Sequence, residues 1–75
     1  MRGLLLVDHG SRRAASNHQL EDMAARVQAL CPSVLVGHAH MEIAEPSIAD
    51  GIGALVARGA TEIVLLPYFL SDGRH

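Results

Sequence analysis

Residues 3–8 (GLLLVD) form an apolar run without polar alternation, the pattern of a strand buried on both faces of a parallel sheet. The periodicity then becomes helical. Leu20, Met23, Ala24, Val27 and Leu30 fall on one stripe, Asp22 and Arg26 have the spacing of a favourable i,i+4 pair, and Ser16 with Gln19 predicts a capping box at the start. Pro32 should stop this helix, because it disfavours helical geometry at Cys31. Residues 33–41 (SVLVGHAHM) predict a second strand. Val34, Val36, His38 and His40 lie on one face and Leu35, Gly37, Ala39 and Met41 on the other, which is expected to turn inward. A second helix is expected from Pro46, with Ile48, Ile52, Leu55 and Val56 as its apolar stripe and Gly59 as its stop. Gly51 and Gly53 weaken it by ~1 kcal/mol each relative to Ala, a cost that close packing on the sheet would explain. Residues 61–66 (TEIVLL) predict a third strand, with Pro67 marking its end.

This βαβαβ order implies right-handed crossovers and a three-layer α/β fold with a parallel sheet. In the flavodoxin-like strand order 2-1-3 the first strand is central, and its connections leave in opposite directions. That creates a crevice at the carboxyl end of the first strand, beside His9. One flank of the third strand is left unpaired, and residues 71–75 (SDGRH) carry a loop signal. The chain of 75 residues is therefore expected to be a single, incomplete domain, 1–75, whose missing flank comes from further residues or a second copy. A chain this short buries only about 60% of its unfolded surface, which also points to a partner subunit.

Composition narrows the class. Hydrophobic residues make up 49% and charged ones 19%, which argues against disorder. Cys31 is alone, so no internal disulfide is expected, a reducing compartment fits, and packing is its expected role. Apolar stretches fall well short of the ~20 residues of a membrane span, and the N-terminal run is too short for a signal peptide, so a cytoplasmic protein is expected. The formal charge is −2 and every basic residue is an arginine, which leaves no basic stripe for nucleic acid. Three of the six arginines, Arg12, Arg13 and Arg74, flank His9 and His75, and guanidinium groups there suit the carboxylates of an organic anion.

Parallel strands would bring His9, after the first, and His75, after the third, to the same sheet edge. Two imidazoles there can hold a divalent first-row metal. Gly10 lets the backbone turn beside His9, and Gly73 lets Arg74 and His75 turn inward. The residues alone leave simpler readings open: His9 as a turn residue bonded to a nearby carbonyl, and His75 as a frayed end. Glu42 and Glu45 fall where the second strand meets the second helix, at the same edge, and can complete a metal site or accept a hydrogen bond from a ligand N–H. Glu45 is equally suited to the positive end of that helix. His38 and His40 read as a solvated or interface-facing strand end, His18 as a surface residue, and Asp72 as a stabiliser of its own turn. Tyr68 and Phe69, the only aromatic residues, are expected in the core.

Three segments in order, LLLVDHGSR around His9, MEIAEPSI around Glu45 and GATEIVLLPYFLSDGRH ending at His75, resemble the small sirohydrochlorin chelatases. These are the cobalt- or iron-inserting enzymes of cobalamin and siroheme biosynthesis. The resemblance runs along the whole chain and covers the first three-fifths of a short family member. It implies a chelatase-like fold, a lyase activity, a homodimer, a tetrapyrrole substrate and a divalent metal (cobalt, iron or nickel) as co-substrate, with no organic cofactor. It implies His9 as catalytic proton acceptor and metal ligand, His75 as the second metal-binding histidine, and Glu42 as an assisting carboxylate. Glu45 and the loop Leu70, Ser71, Asp72, Gly73, Arg74 and His75 would touch substrate, with Arg12 meeting its carboxylates. The family usually has glycine where Asp8 stands, and a carboxylate there would either raise the basicity of His9 or add a ligand.

Such an activity matches the residue types. Two pyrrole N–H protons leave as the metal enters, so a base of near-neutral pKa at the metal face lowers the barrier. The ion must also be handed over, which an open imidazole site allows and a closed thiolate cage does not. Two alternatives compete. One is an inactive metal-binding or dimerisation fragment of such a chelatase. The other is a histidine phosphatase-like enzyme, for which Asp8 stands where an arginine is needed and would repel phosphate.

Overall fold

The computed structural model describes residues 1–68. The elements run β1 (Arg2–Asp8), α1 (Ala14–Leu30), β2 (Leu35–His40), α2 (Ile48–Ala57) and β3 (Glu62–Pro67). All strands are parallel and the sheet order is β2-β1-β3, the flavodoxin-like order expected. In register, Asp8 lies opposite His40 and Val7 opposite both Ala39 and Pro67, so all three strands end at one edge.

A core cluster fills each face of the sheet. Leu5, Val7, Ala39, Leu55 and Ala60 form one, under α2, with Leu35, Ile48, Ile52 and Ile63 against it. Leu6, Leu20, Ala24 and Val36 form the other, under α1, joined by Met23, Val27, Val34 and Tyr68. The unbroken apolar run of β1 follows from this, since its side chains alternate between two covered faces. Gly51 explains how closely α2 approaches. A Cβ there would lie 3.0 Å from Leu5 Cδ1 and 3.1 Å from Ala39 Cβ, whereas one at Gly53 would meet nothing within 4 Å.

The two edges differ. Along β2, Gln28 Nε2 donates to Val34 O at 2.6 Å, its Oε1 accepts from Val36 N–H at 2.9 Å, and Arg58 Nη1 donates to Val36 O at 2.9 Å. Side chains thus satisfy backbone groups that a further strand would otherwise pair. The flank of β3 is unpaired among the described residues, as expected, and Val64, Leu65 and Leu66 there are 51%, 44% and 46% exposed.

Several local expectations are corrected. Helix α1 starts earlier than the Ser16 capping box, with Arg13 at its N-cap and no side-chain cap. The polar residues are used otherwise: Asn17 Oδ1 accepts from Ser11 N–H at 2.9 Å and Asn17 Nδ2 donates to Ser11 O at 2.7 Å. Helix α2 begins after Pro46, with Ser47 Oγ accepting from Asp50 N–H at 3.1 Å. Leu30, the last residue of α1, and Val56 are exposed instead of packing. Cys31 is exposed too, which rules out the packing role, since it lies past the last turn of α1.

Candidate functional site

The carboxyl edge of the sheet carries the candidate residues. His9 follows β1 and is exposed, while residues 41–47 follow β2 and carry Glu42 and Glu45, both exposed. The two loops are joined by their backbones: Met41 N–H donates to Asp8 O at 2.9 Å and Glu42 N–H to His9 O at 3.1 Å. Backbone hydrogen bonds therefore still link the two segments past the strand ends, and the His9 and Glu42 backbones sit side by side. Gly10 makes this contact possible. Its φ is +91°, and a Cβ there would overlap the Glu42 carbonyl oxygen. On the far side of the loop His40 N–H donates to Pro46 O at 2.9 Å, which returns the chain to α2. Arg12 is exposed at the same edge, in the segment between His9 and α1.

The pair Asp8 and His40 departs from expectation. His40 is fully buried, not solvated, and Met41 is 52% exposed, not inward. Both β2 faces are covered, one by each helix, so the histidine face lies under α1 and is no surface. His40 Nδ1 meets Asp8 Oδ1 at 2.5 Å, and the same oxygen accepts from Gly10 N–H at 3.0 Å. His40 Nε2 has no hydrogen-bond partner among the described residues, a situation that costs about 1–3 kcal/mol for a buried polar atom. The Asp8 carboxylate is thus engaged by its neighbours on both sides. The sequence held one signal of this, polar residues at corresponding positions of two adjacent strands.

His38 is half-buried, with its ring edge-on to that of His40 at 6.0 Å between centroids. Burial lowers its pKa from the ordinary 6.5; Glu21 and Asp8 oppose that shift and His40 reinforces it. His18 is on the surface as expected, paired with Glu21 Oε2 at 3.0 Å. Tyr68 packs in the α1-side core, and its N–H donates to Val7 O at 2.7 Å, so the chain leaves β3 at the His9 edge. The expectations for Phe69, Leu70, Ser71, Asp72, Gly73, Arg74 and His75 lie outside the described residues. Among the described residues, no three His, Cys, Asp or Glu side chains converge as a metal site.

A family model described as CbiX matches residues 3–75. The chain is 45% identical over 73 residues to the chloroplastic sirohydrochlorin ferrochelatase of Arabidopsis thaliana, covering 97% of this chain and 32% of that protein. It is 38% identical over 77 residues to the sirohydrochlorin cobaltochelatase of Methanocaldococcus jannaschii, covering all of this chain and 52% of that one. The crystal structure of a CbiX protein from Marinobacter aquaeolei VT8 superposes with a TM-score of 0.75 at 28% identity, covering 100% of this chain and 61% of the other. The chain therefore spans between about a third and three-fifths of the length of these relatives.

Proposed function

The chain belongs to the CbiX family, and from that premise we propose that it serves the insertion of a divalent metal, cobalt or iron, into sirohydrochlorin. The observation that carries this reading is the joined rim at the carboxyl edge, where Glu42 N–H on His9 O holds a candidate base and a candidate carboxylate on adjacent backbones. His9 takes a pyrrole proton as the metal enters, acting as general base at the metal face. The metal is a substrate, held during delivery by His9 and His75 with Glu42 assisting. Nickel is accepted by the same ligand types, so cellular supply selects the ion. Arg12 and Arg74 meet carboxylates on the macrocycle, and Glu45 with residues 70–75 completes the substrate contacts.

The same reading makes the protein a lyase of siroheme or cobalamin biosynthesis that needs no organic cofactor, with residues 1–75 as a single, incomplete chelatase-like domain. It works as a homodimer in the cytoplasm, without nucleic-acid or membrane partners. No helix among the described residues is long and apolar enough to cross a membrane. The alternative reading is that the chain binds metal, or dimerises, without inserting metal. An absorbance assay separates them. Sirohydrochlorin is mixed with Co²⁺, Fe²⁺ or Ni²⁺ and the chain, with His9→Ala as control. Metallation faster than background that His9→Ala abolishes supports insertion; a background rate with wild type, beside measurable metal binding, supports the second reading.

A further inference from the structure

We infer that Asp8 and His40 are positioning residues that aim His9, an inference that rests on the reading of His9 as base and metal ligand. The geometry lies in one peptide unit. The carbonyl of His9 and the N–H of Gly10 belong to the same peptide plane, and each is pinned: the carbonyl accepts from Glu42 N–H at 3.1 Å, and the N–H donates to Asp8 Oδ1 at 3.0 Å. Rotation of that plane would swing the His9 Cα–Cβ bond relative to Glu42. Asp8 Oδ1 is held in turn by His40 Nδ1 at 2.5 Å, and His40 is buried with no freedom to follow solvent.

An apolar side chain would fill the His40 position without leaving Nε2 unpartnered among the described residues. The imidazole adds a donor aimed at Asp8, which keeps the carboxylate oriented toward Gly10. Groups that orient a metal ligand without touching the metal commonly change affinity about 10–100-fold when removed. Here the orientation passes through the backbone, because Asp8 holds the N–H of the peptide unit that follows His9.

The test compares wild type, Asp8→Ala, Asp8→Asn and His9→Ala by amide hydrogen exchange and by Co²⁺ titration. The oxygen of Asn can accept from both Gly10 N–H and His40 Nδ1–H, so Asp8→Asn keeps the positioning and removes only the charge. Exchange at Gly10 is expected to quicken at least about tenfold in Asp8→Ala and to stay near wild type in Asp8→Asn. Ser11 N–H, held by Asn17, is the internal reference. The Co²⁺ dissociation constant should follow the same order, rising about tenfold or more in Asp8→Ala. Unchanged Gly10 exchange in Asp8→Ala overturns the inference, as does an Asp8→Asn variant that loses Gly10 protection or Co²⁺ affinity, which would assign the role to charge. If Asp8→Ala fails to fold, Asp8→Asn still decides. Equal Co²⁺ binding by wild type and His9→Ala would remove the metal role of His9, while the exchange rates would still report whether Asp8 holds the turn.

Discussion

Replacing Gly10 by alanine tests the joined rim through stability. With φ at +91°, any Cβ is strained, which costs about 1–2 kcal/mol. The added methyl would also overlap the Glu42 carbonyl oxygen, a backbone atom that moves only if the loop over residues 41–47 moves. Moving it breaks the Glu42–His9 backbone hydrogen bond, worth about 1 kcal/mol. The sum is about 2–3 kcal/mol, against a total of roughly 4–11 kcal/mol for a domain of this size. At roughly 4–8 °C per kcal/mol, the melting temperature should fall by about 8–24 °C. Gly53→Ala is the matched control, since a Cβ there meets nothing and lies inside α2; it should stabilise by up to ~1 kcal/mol. Thermal unfolding followed by circular dichroism measures both. A Gly10→Ala protein as stable as wild type would refute the close approach of the two loops.

The remaining predictions concern the α1 side of the sheet. Gln28→Ala strips Val36 N–H and Val34 O of their partners and should cost about 1–2 kcal/mol, read as a lower urea midpoint with unchanged slope. His38 has a folded-state pKa below its unfolded value near 6.5. The unfolded chain therefore binds more protons between the two values, and stability is full above about pH 6.5 and declines as pH falls through the folded pKa. His38→Gln should flatten that part of the profile in urea titrations run from pH 7.5 to 5. An unaltered profile would show that His38 does not contribute to it.

Which features were legible depended on how far apart the interacting residues stand. Helix stops at Pro32 and Gly59 are local chemistry, and the helix ends agree with it. Parallel strands with right-handed crossovers follow from element order, whereas the central place of β1 was expected from the flavodoxin-like strand order and agrees with the sheet. The burial of His40 was not legible, because a period of two assigns faces without saying which are covered. β1 reads as covered on both sides because both faces are apolar; β2 carries polar residues on one face and mimics a half-solvated strand. The same holds for Asp8, whose partner lies 32 residues away. Ser16 failed as a cap because Asn17 and Ser11 tie the preceding loop together and let α1 start at Ala14.

The account turns on two imidazoles, one after β1 and one after β3, acting on the same ion. Co²⁺ titration of the wild-type chain, His9→Ala and His75→Ala, followed by the visible absorption of the bound ion, measures this directly. Each single substitution should weaken binding by more than about tenfold and shift the spectrum, since each removes a nitrogen ligand. Binding that neither substitution alters would contradict the shared site.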